Sequence, residues 1–154
     1  MGKIRLIGTI EAKVDMKGRV FLPAVFRRLL GAGGDYHLIL RKDVFEDCLV
    51  LYTEDEWYKR LDELHARLNR WNRKHQDIFR RFVADAEWIT LDAGGRFLIP
   101  KRYLRMAAIE QEVVFVGMDD TIEIWAKGKL LSENSESIGN ELENIMSQSA
   151  GSDE

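Results

Sequence analysis

One eighteen-residue stretch of this chain occurs twice, and no other feature limits the available architectures as strongly. Residues 14–31 align with residues 91–108 at a constant offset of 77 and share five identities: Asp15/Asp92, Gly18/Gly95, Arg19/Arg96, Pro23/Pro100 and Arg28/Arg105. About one identity would be expected from average residue usage. Conservative pairs such as Phe26/Tyr103 and Leu22/Ile99 fill the gaps. In each copy an apolar run ends at Asp, two residues intervene, and Gly precedes Arg and a second apolar run. Glycine takes positive φ without steric cost, and an Asp carboxylate accepts from backbone N–H groups a few residues on. This predicts a tight β-hairpin whose tip carries Lys17 and Arg19, or Arg96 in the copy. Pro23 and Pro100 suit the first turn of a helix.

Each unit is below the size at which a core stabilises itself comfortably, so the repeat predicts two half-units around one shared core. His37–Leu40 and Leu49–Tyr52 read as two further strands, and Val113–Val116 and Ile122–Trp125 as their counterparts. Between the copies, Thr53-Glu54-Asp55-Glu56 reads as a capping box. Trp57, Leu61, Leu64, Leu68 and Trp71 follow at helical spacing, and Ile78, Phe79, Phe82 and Val83 continue it after a polar break at 72–77. Gly31 to Gly34 reads as a helix stop. The expected fold is α+β: two pseudo-symmetric β-hairpin/helix repeats forming a small β-barrel-like core, with a helical pair between them. The boundaries are 7–53, 54–86 and 87–127, then an acidic, flexible tail over 128–154 in which Ile138, Leu142 and Ile145 allow a turn or two of helix.

Charge is segregated. The chain has 23 basic and 26 acidic residues, but six of the acids and none of the bases lie in 132–154. Residues 13–28 hold five bases against Asp15, and 92–105 hold four against Asp92. Basic charge gathers where the tips are. No apolar run approaches the roughly 20 residues of a membrane span, so no membrane partner is expected. The single cysteine, Cys48, cannot form an internal disulfide, which points to a reducing cytoplasm.

Catalytic and metal readings find little support. His37, His65 and His75 have no ligand spacing, and Gly31–Gly34 lacks the ending of a phosphate loop. An aspartic dyad of Asp15 and Asp92 would need a hydroxyl residue and Gly after each Asp; Met16 and Ala93 stand there instead. No cofactor is expected and no catalytic residue is assigned. Binding is better supported, because Arg beside Gly lets a guanidinium project while the backbone approaches a surface. The competing role for Arg19 and Arg96 is to pair with Asp15 and Asp92 and brace the turn. The expected DNA-binding residues are Lys13, Lys17, Arg19 and Arg96, with Asp15, Gly18, Asp92 and Gly95 forming the turns and Lys101 and Arg102 nearby.

D-M-K-G-R-V-F-L-P and L-D-A-G-G-R-F-L-I-P resemble the paired motifs of the MraZ family, within the AbrB-like swapped-hairpin class. Cys48 to Tyr52 followed by Glu56-Trp57, then Val116-Gly117 and Ile122 to Trp125, extend the resemblance over about residues 7–127. It implies a bacterial, nucleoid-associated regulator of the division and cell wall gene cluster, a ring-shaped homo-oligomer on direct repeats in double-stranded promoter DNA. Alternatives are an AbrB-like antitoxin that neutralises a protein partner and a ring-forming structural protein without a nucleic-acid role. Ala93-Gly94 in place of Met16-Lys17 makes the second tip less basic than the first.

Overall fold

The computed structural model describes residues 5–30, 37–130 and 135–149, so the expected helix stop at Gly31 to Gly34 lies outside the described residues. The first copy forms β1 (Leu6–Lys13), β2 (Arg19–Phe21), α1 (Ala24–Leu30), β3 (His37–Lys42) and β4 (Leu49–Thr53). Two helices follow, α2 (Glu54–Arg67) and α3 (Arg73–Ala84). The second copy repeats the order with β5 (Glu87–Thr90), β6 (Arg96–Leu98), α4 (Lys101–Met106), β7 (Glu112–Asp119) and β8 (Thr121–Ala126). A last helix, α5 (Ser135–Ser149), is longer than the turn or two expected there.

The strands do not pair as two simple hairpins. Asp15 N–H donates to Arg19 O and Asp92 N–H to Arg96 O, both at 2.8 Å, which closes each turn. Beyond that bond the flanking strands part. β1 pairs antiparallel with β7, and β2 pairs antiparallel with β6 of the other copy. The long sheet runs β1-β7-β8-β4-β3-β5, with β2-β6 as a separate ribbon. Exchanging each strand for its counterpart turns that order into its own reverse, so the duplication in sequence is also a duplication in topology. Among the described residues no ladder joins the edges β1 and β5.

One core serves both copies. Val20, Leu22 and Phe26 are buried with their counterparts Phe97, Ile99 and Tyr103, against Leu40, Leu51, Phe115 and Ile124 of the sheet. Each such side chain contributes about 1.5–3 kcal/mol on leaving water. β3 and β4 are covered on both faces: Leu38, Leu40, Leu49 and Leu51 face this core, while Ile39, Val50 and Tyr52 face Trp57 of α2. Phe82 of α3 stacks on Trp57 at 5.3 Å, and the buried Arg41 lies 4.6 Å from the Phe82 ring centre.

The helical pair forms, with two differences from expectation. Thr53 Oγ1 accepts from Glu56 N–H at 3.2 Å, but the Glu56 carboxylate turns to Arg60 Nε at 2.8 Å rather than back to the cap. The break falls at 68–72, not 72–77. Asn72 caps α3 through His75 N–H, and Asn69 Oδ1 accepts from Trp71 N–H, so helical hydrogen bonding stops there. Trp71 therefore sits in the turn, 96% exposed, instead of on the apolar seam.

A two-turn ribbon as candidate nucleic-acid interface

The two turns are near copies in atomic detail. Asp15 Oδ1 accepts from Lys17 N–H and Arg19 N–H, both at 2.9 Å, and Asp15 Oδ2 accepts from Arg19 Nε at 2.9 Å. Asp92 repeats this with Gly94 N–H at 2.9 Å, Arg96 N–H at 2.8 Å and Arg96 Nε at 3.0 Å. The Arg19 N–H bond, then the Arg19 guanidinium and the Lys17 N–H, hold the Asp15 carboxyl below the ordinary carboxylate range despite some desolvation. Asp92 is lowered in the same way, first by the Arg96 N–H. Both carboxylates stay charged and act as turn braces.

Gly18 and Gly95 close the turns at φ of 90° and 89°. Each also locks its turn into the other copy. Ile99 N–H donates to Gly18 O at 2.8 Å, and Leu22 N–H donates to Gly95 O at 3.0 Å. These bonds continue the β2–β6 ladder, in which Arg19 lies opposite Leu98, Val20 opposite Phe97 and Phe21 opposite Arg96. Val20 and Phe97 point into the core. Directly opposed residues share a face, so Arg19, Phe21, Arg96 and Leu98 form the other face of the ribbon. Phe21 and Leu98 are 55% and 53% exposed there, which leaves two apolar and two cationic side chains on one open surface.

The bracing role assigned to Arg19 and Arg96 is realised, but it uses only one edge of each guanidinium. Nε is held by the carboxylate. Among the described residues Nη1 and Nη2 of these two arginines take no hydrogen bond, and the side chains keep about a third of their exposure (36% and 34%). Bracing and contact are compatible in one side chain. Lys17 is exposed at the first tip, and Lys13 ends β1 opposite Glu112. Of the cations expected nearby, Lys101 is exposed, while Arg102 is engaged by Glu87 at 3.2 Å and by the Tyr103 hydroxyl at 3.1 Å.

Arg27, on the short helix α1, was not among the expected contact residues. It donates from Nε to Leu22 O at 3.0 Å, and its Nη1 would lie 2.6 Å from a Cβ placed on Gly95. A cation from the first copy thus lies against the second turn, whose own tip, Ala93-Gly94, has none. Its counterpart at the 77-residue offset is Leu104, which approaches Gly18. The exchange of Arg for Leu at equivalent positions was visible in the alignment; its placement across the copies was not. Among the described residues no group of three or more His, Cys, Asp or Glu could hold a metal ion, and no helix is long and apolar enough to cross a membrane.

A family model described as "MraZ protein, putative antitoxin-like" matches residues 6–80 and 82–143, reaching into α5 beyond the segment covered by the motifs. A protein of Phocaeicola vulgatus named transcriptional regulator MraZ is 58% identical over 146 residues, 93% of this chain and 94% of the relative. Its namesake in Bacteroides fragilis is 56% identical over 94% of this chain and 93% of its own length. One in Caldanaerobacter subterraneus is 37% identical over 79% of this chain and 81% of its own.

Proposed function

This chain belongs to the MraZ family, and from that premise we propose that it is a sequence-specific, double-stranded DNA-binding regulator of transcription. In this reading it works in the cytoplasm on the nucleoid, as a ring of identical subunits bound to direct repeats in the promoter of the division and cell wall gene cluster. The relatives' shared name supports regulation of transcription. The observation that carries the DNA contact is the ribbon face, where two equivalent arginines keep Nε on their aspartates and leave the Nη groups unbonded among the described residues.

A guanidinium held at Nε has few rotamers left to lose when it binds, so the brace lowers the ordering cost of the contact. Its remaining fork suits phosphate oxygens or the O6/N7 edge of guanine. A two-stranded ribbon fits the major groove of B-DNA. Arg19 and Arg96 lie two residues apart along the ladder and one strand apart across it, about 8 Å between backbones from strand spacings. That spans two to three base steps at about 3.4 Å each. Lys17 at the first tip and Lys13 behind it add phosphate contacts.

One subunit neutralises few phosphates, so it binds weakly alone. A ring presenting equivalent ribbons to repeats about one helical turn apart, roughly 34 Å, gains through effective concentration. Titration of duplexes with one and with several repeats, at a series of salt concentrations, tests this. The expected result is a steep salt dependence and a strong preference for several repeats. Equal affinity for both refutes the ring-avidity mechanism. Loss of binding in Arg19→Ala and Arg96→Ala with the melting temperature nearly kept supports the contact role, while collapse of the fold would leave those arginines as braces only. Footprinting upstream of the chain's own gene tests the target.

A further inference from the structure

The helix α5 has a composition unlike the rest of the chain. Residues 135–149 contain Glu136, Glu141 and Glu143 and no Lys or Arg, and Ile138, Leu142 and Ile145 fall on one stripe. Those three side chains are 57%, 52% and 58% exposed. A fifteen-residue helix with Gly139 inside it and many Ser and Asn is marginal in water unless its apolar face is covered. Pairing of α5 with a second α5 would bring together two helices of net negative charge with no Lys or Arg to offset it. The helix therefore calls for a basic partner surface with apolar spots.

The β2–β6 ribbon face is such a surface: Arg19 and Arg96 alternate with the exposed Phe21 and Leu98, with Lys17 at one end and Arg27 at the other. It is also where the chain leaves the sheet. Ala126 pairs with Val113, which pairs with Ala12, so the end of β8 lies two strand spacings, about 10 Å, from the end of β1. Lys127 N–H donates to Glu112 O at 3.0 Å, and its Nζ comes within 4.0 Å of Glu11. Asp15 of the first turn follows within a few residues. Seven residues separate Lys127 from Ser135; Lys129 N–H donates to Ala126 O at 3.0 Å in a turn, and the five steps from Leu130 to Ser135 reach up to about 17 Å, while α5 itself is about 22 Å long.

We propose that α5 docks onto the ribbon face of its own chain and competes there with DNA. Glu141, which flanks the stripe, lies toward the ribbon arginines, and the Ile138–Leu142–Ile145 stripe covers Phe21 and Leu98. The docking itself is independent of the DNA reading; only the competition rests on it. A chain whose face is covered nine-tenths of the time binds its duplex about tenfold more weakly than its uncovered form.

Amide hydrogen exchange on the full chain without DNA reads the docking directly. Amides of residues 140–148 should exchange at least tenfold more slowly than in a free peptide of residues 132–154. Glu141→Lys with Glu143→Lys should return them to the peptide rate, as should 1 M salt, and so should Arg19→Gln with Arg96→Gln provided its melting temperature is retained. In duplex titrations the glutamate double variant should bind several-fold more tightly. Peptide-like exchange in the unaltered chain overturns the proposal. So does protection that survives the ribbon changes but is lost in Arg70→Gln with Arg73→Gln, which would seat the helix on the exposed turn between α2 and α3. If exchange behaves as expected and no variant binds a duplex, the docking stands and the DNA reading alone falls.

Discussion

Replacing Gly18 by alanine separates two costs that usually occur together. A Cβ at a positive φ costs about 1–2 kcal/mol from its clash with the neighbouring carbonyl. Gly128, at φ 90°, has nothing within 4 Å of an added Cβ, so Gly128→Ala measures that backbone cost alone. Gly18 has the same φ of 90°, but there the added Cβ meets Ile99 O at 3.0 Å. The Ile99 backbone must shift, and with it the Ile99 N–H bond to Gly18 O that joins the two copies. Losing one such bond costs about 0.5–1.5 kcal/mol. Gly18→Ala should therefore destabilise by about 1.5–3.5 kcal/mol and Gly128→Ala by about 1–2, read as the difference between urea denaturation midpoints at a common slope. Gly95→Ala meets Arg27 Nη1 at 2.6 Å and Cδ at 3.1 Å, so Arg27 must give up its bond to Leu22 O, and stability should fall beyond that of Gly128→Ala while duplex affinity drops. Equal costs at Gly18 and Gly128 would refute the interlocking of the turns.

Asp15 and Asp92 are held below their reference value of 3.8, so they stabilise the folded chain above that pH, and the stabilisation is lost as pH falls through their lowered values. Melting temperature should fall below about pH 4 and fall less steeply in Asp15→Asn with Asp92→Asn; identical acid profiles would count against the braces. Trp57→Ala, which removes a buried ring stacked on Phe82, should cost about 3–5 kcal/mol by denaturation, whereas Trp71→Ala in the exposed turn should change stability by less than about 0.5. Burial pushes the Cys48 thiol far above its ordinary value, so a thiol reagent at pH 8 should modify it only as fast as the chain unfolds.

Much of the fold was legible because each copy repeats residues whose roles are local. Asp, Gly and Pro at fixed spacing specify a turn and a helix start wherever the strands later go. Which strands pair was not legible from pattern alone. The run Arg19–Phe21 has the same in-out alternation whether it folds back on β1 or crosses to Arg96–Leu98, and only the likeness to a swapped-hairpin class pointed to the crossing. The tip arginines were legible as either brace or contact. The brace uses Nε and leaves the Nη groups for the proposed contact, a distinction that residue type cannot express. Trp71 was misplaced because spacing counts apolar residues and overlooks caps; Asn69 and Asn72 end the helix before the seam reaches it.

Beyond the identities of the turns and helix starts, the duplicated pairs keep their apolar character inside and diverge outside, and that difference bears on how such a ribbon could work. Val20/Phe97, Leu22/Ile99 and Phe26/Tyr103 keep their places because both members fill one shared core. On the surface the halves diverge: Lys17 faces Gly94 across the alignment, Phe21 faces Leu98, and Arg27 faces Leu104. A ribbon with a true twofold axis would accept a short duplex equally well in either direction. Here the direction is broken twice, by Phe21 against Leu98 on the open face and by Lys17 against Arg27 at its ends. The two cations are not equivalent even where they balance in charge. Lys17 projects freely from a turn, while Arg27 is anchored through Nε to Leu22 O, so one end offers a mobile point charge and the other a fixed one. A symmetric scaffold with unequal ends can hold a site in one orientation, which is what direct repeats on a duplex would require of every subunit in the proposed ring.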